Sequence, residues 1–592
     1  MGDENNRKTQ SLLSGAMLLM VITVVVHVIN IFFKIPITNI IGEVGRGYFT
    51  SAYELYTPIY AISMAGLPVA VSKMISERMA TGRYREVRRV RDASKRLFLI
   101  TGIVGTLLML VLAYPFSHNI IGSPNSFLSI LCIGPSIFFC CMMSTYRGYY
   151  EGLRNMAPTG FSQLFECLGK LVFGIGLAKY VLKIANDQFE ATGVVFGVKC
   201  ETAKDVVLAA APYSSAAAIT GVTIGTILAL IYCFIVYHKN GDGITEEELL
   251  GSPEPEEIGS LTKKLFKTVV PIATSALVLN ITNLIDTSTI QSRLKHATAI
   301  GEDVIRNIYP ELTELGIKSV DIKDFLYGCY GVALDFRNLI PTVIMTLGVS
   351  AIPVLSAAFT RRETEKMQDA IHTVVKTASL LAVPAGFVRA SLAEPMLRIL
   401  YPSSHSISIS APFVAVFGYA ALLLAISTPI NNMLQAVGRA DVPVKSLLFG
   451  ATAKIIINLI LVGNPAINIK GAPVGTIVCY LIIVINNLLV LIKVCGVRIN
   501  WLDALIKPFI VGALSGFAAL GTNYIIIEKI FNLQGNLTSM KSLVSCAISL
   551  IVAVIVWVIL LAVFKVLTKK DVLSLPKGQK IAKVLEKLKV LG

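Results

Sequence analysis

The chain has 592 residues, 54% of them hydrophobic and only 15% charged, with mean hydropathy +0.70. A soluble domain of that length would be nearer a quarter charged, so composition excludes an ordinary water-soluble protein. The net charge of +16 is no nucleic-acid signal in such a chain, because lysine and arginine gather in cytoplasmic loops and face anionic lipid.

Residues 1–10 read as a polar tail with Arg7 and Lys8. Apolar run length then predicts fourteen spanning helices: 11–34, 48–75, 97–116, 125–146, 157–182, 207–237, 266–291, 326–358, 371–393, 409–435, 445–463, 471–493, 503–527 and 541–566. The fold class is an all-α polytopic membrane protein. The first run is too long for a signal-peptide core and reads as a retained helix.

Helices one and two are expected to meet across a short loop. Thr23, His27, Asn30 and Lys34 share one face of the first, and Glu54 stands one turn before Pro58 in the second. An ionisable group at bilayer depth is costly and turns toward a bundle interior or a watery cavity. This pair is therefore expected to line a polar chamber, with His27, Asn30, Lys34 and Glu54 as substrate-binding candidates. Bland alternatives stand beside each: Lys34 could snorkel to the interface, His27 could be a hydrogen-bonded structural residue, and Glu54 could only neutralise Lys34 or His27.

A basic loop follows, with Arg78, Arg83, Arg85, Arg88, Arg89, Arg91, Lys95 and Arg96; Arg147 and Arg154 are read into a later loop. Glu166 and Lys170, one turn apart in helix five, read as an intrahelical pair with a supporting or coupling role. The acidic stretch 238–262 reads as a linker between halves. In helix seven Asn280, Asn283 and Thr287 repeat the 27/30/34 spacing beside Asp286. Arg337 stands four residues before Pro341, as Glu54 stands four before Pro58. It could pair between lobes or grip a phosphate bidentately. Arg389 and Glu394, near a helix end, read as interfacial. The tail after Pro576 places Ile581, Val584, Leu585 and Leu588 on one face among lysines, the pattern of a helix lying on the inner leaflet. With an even helix count the strongest basic clusters share one side, which puts both termini in the cytoplasm.

The chain repeats internally. GLPVAVSKM matches AIPVLSAAF with Pro68 against Pro353 (353 − 68 = 285), and EGLRNMAPTGFSQL matches QAVGRADVPVKSLL with Pro158 against Pro443 (443 − 158 = 285). The expected organisation is an N-terminal lobe (1–237, helices one to six), a cytoplasmic linker (238–262), a C-terminal lobe (263–493, helices seven to twelve), helices thirteen and fourteen (494–568) and a basic amphipathic tail (569–592). Repeats meeting at mid-membrane are a transporter signature.

Five stretches in order carry a family resemblance: FKIPITNIIGEVGRGYF, AISMAGLPVAVSKMISE, YRGYYEGLRNMAPTGFSQLFE, LIDTSTIQSRL with LYGCYGVALDFRNLIPTVI, and INNMLQAVGRADVPVK. Together they resemble the polysaccharide transporter branch of the multidrug/oligosaccharidyl-lipid/polysaccharide superfamily, in the group of stage V sporulation protein B and MurJ-type lipid II flippases. The resemblance implies two pseudo-symmetric six-helix lobes in a V, with helices one, two, seven and eight lining a cavity. It also implies alternating access that carries a polyprenyl-pyrophosphate-linked sugar lipid to the outer leaflet. The family's cationic cavity positions fall near His27, Lys34 and Arg337; histidine and lysine stand in helix one where proteobacterial relatives have arginines. Some relatives bind sodium between helices seven and eleven. Here Lys454 and Asn458 lie one turn apart in helix eleven, and the lysine ammonium could occupy the cation's place.

The candidate cavity set is thus His27, Asn30, Lys34, Glu54, Asn280, Asn283, Asp286 and Arg337, with Glu166, Lys170, Lys454 and Asn458 in coupling or support. No metal or cofactor is expected; membrane potential or a cation would drive the cycle. Expected partners are the lipid-linked sugar, membrane lipids and the cell-wall synthesis machinery, with no nucleic acid and a monomeric state. Three rival readings stand: a flippase for teichoic-acid, capsule or spore-cortex precursors, a multidrug exporter, and a membrane glycosyltransferase. The exporter fits poorly because cationic drugs favour acidic cavities. The enzyme fits poorly because the chain has no DxD, HExxH, GxSxG or Walker-type run, and its six histidines are dispersed. The ten cysteines likewise form no CxxC or Cys/His cluster.

Overall fold

The computed structural model describes residues 12–62, 67–402, 406–531 and 538–566. The amphipathic tail lies outside the described residues, as does the side chain of His27. Ten helical stretches among the described residues are long and apolar enough to cross a membrane. The chain packs into two compact units, 1–295 with 314–328, and 296–313 with 329–592. The repeat boundary in the linker and the packing boundary are therefore different: most of helix seven packs with the first unit.

The first unit opens with α1 (Leu12–Ala61), which holds both predicted helices one and two. The expected loop between them is a single residue, Gly42, at φ 68°. Glycine reaches that conformation without a Cβ penalty, so one residue is enough to redirect the chain. α2 (Leu67–Ala80) completes helix two, and α3 (Tyr84–Tyr114) follows. Helix four is split at Gly134–Pro135 into α4 (Phe127–Ile133) and α5 (Ser136–Gly152). Arg147 lies inside α5 and is 1% exposed, so its assignment to a loop is corrected.

α6 (Ala157–Thr192) runs ten residues past the predicted end at 182, then a two-residue hairpin of β1 (Val194–Val195) and β2 (Val198–Lys199) leads into α7 (Ala203–Asn240). α6 and α7 cross at glycines: a Cβ on Gly221 would lie 2.3 Å from the Gly174 nitrogen, and one on Gly169 2.6 Å from the Gly225 Cα. In lipid, where apolar burial drives little, such close backbone approach is what holds helices together.

The linker is not a loose strap. α8 (Glu246–Leu250) and the segments beside it dock on arginines that the sequence reading placed in a basic loop and that here begin α3. Arg88 grips Asp242 with two bonds of 2.8 and 3.1 Å, and the Tyr149 hydroxyl donates to the same carboxylate at 2.9 Å. Arg85 donates to the Leu249 carbonyl at 2.7 Å, and Arg89 to the Glu256 carbonyl at 3.0 Å. Asp242 is held below the ordinary carboxylate range: burial opposes ionisation, but the bonds from Arg88, the Ile244 N–H and Tyr149 outweigh it.

α9 (Ile258–Ile308) breaks helical geometry at Gly301 and runs to residue 308, into the stretch 292–325 expected between helices seven and eight, which also holds α10 (Glu311–Glu314). Helix eight is two pieces, α11 (Ile322–Phe336) and α12 (Leu339–Thr360). Proline supplies no N–H to the carbonyl four residues back. At Pro58 the helix continues regardless; before Pro341 it breaks at Arg337–Asn338.

The second unit is built from α12, α13 (Thr364–Ser391), α14 (Ala393–Leu400), α15 (Ile407–Ala436), α16 (Asp441–Leu461), α17 (Gly471–Cys495), α18 (Lys507–Ile525) and α19 (Ser539–Val563). Its apolar core joins α12, α13, α15 and α17.

Several helices end in one turn geometry. Between α2 and α3, Gly82 N–H bonds Met79 O and Arg83 N–H bonds Arg78 O; between α12 and α13, Arg362 N–H bonds Phe359 O and Glu363 N–H bonds Ala358 O. Gly82 and Arg362 both have positive φ, 69° and 57°. The turns before α6 and α16 match in the same way. Arg154 and Asn155 bond Glu151 O and Tyr150 O, while Gly438 and Arg439 bond Gln435 O and Leu434 O.

Candidate functional site

In the first unit the faces of α1, α6 and α7 line a half-open cavity of about 350 Å³. Its polar wall is Thr23, Asn30, Thr57, Gln163, Glu166 and Lys170, and Tyr53, Tyr56 and Tyr60 form an aromatic stripe. The stripe follows from sequence: residues 53, 56, 57 and 60 recur at helical spacing on the second leg of α1. Asn30, a predicted site residue, accepts a hydrogen bond from Lys170, whose ammonium also lies 5.2 Å from the Phe33 ring centroid.

Glu166 faces this cavity from a charged bond network. Buried Arg147 donates to Glu166 at 3.1 Å and to the Ser162 hydroxyl at 2.8 Å, and the Tyr60 hydroxyl donates to Glu166 at 3.4 Å. Glu166 and Lys170, expected to pair within helix five, are each bonded to a neighbouring helix. The Arg147–Glu166 bridge is a buried pair of the kind whose desolvation is tolerable only with good geometry and further hydrogen bonds.

A second cluster joins α1, α9 and α11. Gln291 donates to Ser51 at 2.9 Å, and the buried Tyr327 hydroxyl donates to Thr287 at 3.1 Å. The carboxylates of Glu54 and Asp286 both act electrostatically on Tyr327. Asp286 is buried, while Asn280, Asn283, Glu54 and Lys34 are half-buried. One turn farther along, a Cβ on Gly328 would lie 1.8 Å from the Glu43 carbonyl oxygen, and one on Gly47 2.2 Å from that of Asp324. Beside this contact Lys323 is buried, bonded to Asp324 at 2.8 Å and to the Ile121 carbonyl at 3.1 Å. Asp321, which accepts from Tyr48 at 3.3 Å, is pushed above the usual carboxylate range by burial and by the charge of Asp324.

The second unit holds the other predicted residues. Arg337 is half-buried in the break between α11 and α12. Lys454 and Asn458 are buried on α16, against Gly475 of α17, where a Cβ would come 3.0 Å from Asn458 Oδ1 and 3.2 Å from Lys454 Cγ. Arg389, expected to be interfacial, donates through Nη1 to the Phe336 carbonyl at 2.5 Å, next to Arg337. Glu394 is exposed and bonded to Arg398.

Around the first unit's two clusters Lys170, Arg147 and Lys323 stand with Glu54, Glu166, Asp286, Asp321 and Asp324, three cations and five carboxylates. The added positive charge lies with Arg337, Arg389 and Lys454 in the second unit. Sequence reasoning missed Arg147 and Arg389. The tyrosines around Arg147 in TYRGYYEG were the available signal; for Arg389 there was none. Among the described residues, no group of three or more His, Cys, Asp or Glu could hold a metal ion.

Comparison with known proteins now bears on this geometry. The profile of the polysaccharide biosynthesis protein family matches residues 12–359, and the MatE profile matches 328–460. The chain belongs to the polysaccharide biosynthesis protein family. It is with that family a transporter of the multidrug/oligosaccharidyl-lipid/polysaccharide superfamily, and its relatives are transporters and flippases rather than enzymes. It is 23% identical to lipid II flippase MurJ of Bacillus subtilis over 77% of this chain and 78% of that one. It is 20% identical to stage V sporulation protein B of the same organism, over 96% and 98%. A solved structure of lipid II flippase MurJ in an inward closed conformation superposes with TM-score 0.57 at 14% identity, covering 93% of this chain and 98% of that chain. That likeness establishes the fold.

Proposed function

We propose that this family member is a flippase for an undecaprenyl-pyrophosphate-linked cell-wall precursor, lipid II, which it moves from the inner to the outer leaflet of a bacterial cytoplasmic membrane. It spans that membrane fourteen times with both termini inside. The observation that carries the reading is the break of helix eight at Arg337. A discontinuous spanning helix offers unpaired backbone groups where it lines a cavity, and it is the recurrent construction of mid-membrane substrate sites. An arginine in that break can meet a diphosphate with a fork of donors. Lys34, Asn30, Asn280 and Asn283 are the first unit's own candidates for polar substrate contacts, while the lipid tail stays in the bilayer. Flipping needs no bond chemistry, only different affinities for the substrate in inward- and outward-open states.

The test is complementation of a strain depleted of its lipid II flippase, scored by lipid II in the outer leaflet. Rescue supports the reading. Failure with the protein shown to be inserted moves the substrate to another polyprenyl-linked glycan. A spore-cortex precursor is then the first choice, because the likeness to stage V sporulation protein B runs over 96% of the chain.

A further inference from the structure

Arg389 has no role in the reading above. It stands near the end of α13, where a cation would be expected to snorkel to water. Instead its guanidinium turns inward to the C-terminal carbonyl of α11, bonding Phe336 O through Nη1. Its Nε and Nη2 are buried and have no hydrogen-bond partner among the described residues. No carboxylate among the described residues pairs with it either, unlike the buried cations Arg147, Lys323 and Lys376, which meet Glu166, Asp324 and Asp503.

A buried guanidinium with two idle donor groups is expensive. Native proteins leave few such groups, and each one asks for an explanation. Capping α11 uses one donor of five and explains neither the burial nor the orientation of the rest. The position supplies the explanation: the bonded carbonyl belongs to the residue before Arg337, so Arg389 reaches the same helix break from a neighbouring helix of the same unit.

We infer that Arg389 is a second anion-binding arginine at the helix-eight break, and that its idle Nε and Nη2 edge takes oxygens of a diphosphate. The inference rests on the proposed flippase reading for the source of that diphosphate, a lipid-linked one. The side-by-side Nε–H and Nη2–H donors match two oxygens of one phosphate, the bidentate geometry that a lysine cannot reproduce.

The experiment uses the full chain in nanodiscs and measures binding of undecaprenyl diphosphate, undecaprenol and inorganic pyrophosphate. Wild type is expected to prefer undecaprenyl diphosphate to undecaprenol. Arg389→Gln is expected to weaken diphosphate-lipid binding about ten- to hundredfold, the worth of a charge-assisted hydrogen bond, and to leave undecaprenol binding unchanged. Arg389→Lys should fall between, keeping the charge but losing the fork. Should Arg389→Gln fail to fold, Arg389→Lys carries the comparison, since it can keep the bond to Phe336 O. Wild-type affinity for the diphosphate lipid in both variants would reduce Arg389 to a helix cap, with the flippase reading intact. A wild type that does not prefer the diphosphate lipid would overturn both. Tight inorganic pyrophosphate binding, lost with Arg389 while the lipid binds normally, would assign the site to a free anion and overturn its part in substrate recognition.

Discussion

Replacing Gly328 by alanine should pry open the contact between the start of α11 and the second leg of α1. The added Cβ would lie 1.8 Å from the Glu43 carbonyl oxygen and 2.8 Å from its carbonyl carbon. Contacts under 3.0 Å are essentially never tolerated, so the backbones must separate by 1.2 Å or more (3.0 − 1.8). Both colliding partners are main chain, so no side-chain rotation relieves the clash. Overpacking of this kind costs about 1–3 kcal/mol. At about 1.4 kcal/mol per tenfold, that moves the balance between packed and parted helices roughly 5- to 150-fold. The reporter is Ser51→Cys, one turn inside the contact at a fully buried position, in a chain whose partly exposed Cys132 and Cys546 are replaced by alanine. Maleimide labelling of that thiol should rise at least fivefold with Gly328→Ala, and likewise with Gly47→Ala. Unchanged labelling in both variants, at normal protein levels, would refute the claim that these glycines hold the helix ends together.

Four further outcomes are expected. Arg147→Met and Glu166→Gln should each destabilise the protein by about 3–5 kcal/mol by stranding a buried charge; the double variant should recover most of that in detergent unfolding, and simple additivity would contradict the pairing. The linker clasp should be insensitive to pH through the neutral range. Asp242 has a depressed folded-state pKa, so its stabilisation is present above the unfolded value of 3.8 and fades as pH falls through the still lower folded value. Hydrogen exchange over 241–257, corrected for intrinsic rate, should therefore rise only in that acid window, while Asp242→Asn should raise it at pH 7. Arg337→Ala and Lys34→Ala should each abolish complementation with the protein still in the membrane, and normal growth with both would remove them from the site. On the reading that the Lys454 ammonium takes a coupling cation's place beside Asn458, transport in proteoliposomes should not depend on sodium; a sodium requirement lost in Asn458→Ala would contradict this.

Much of this protein was legible before any coordinates. Apolar run length is a local property set by bilayer thickness, so the membrane class and most helix positions follow from it directly. The repeat was legible because two matching proline motifs share one offset. Helix ends were less secure: α6 outran its apolar stretch by ten residues because a polar helix can continue in water beyond the bilayer.

What only the tertiary structure decided is which charge meets which. Glu166 and Lys170 look like an intrahelical pair along the chain, yet each is bonded across to another helix. Arg147 and Arg389 look like loop and interface cations, yet one is sealed behind Glu166 and the other is turned onto the break of helix eight. A spanning helix satisfies its own backbone, so its existence needs no knowledge of its neighbours. The partner of a buried ion depends on helix rotation and on the small-residue contacts that set it, and those are properties of the packed bundle, not of any one segment.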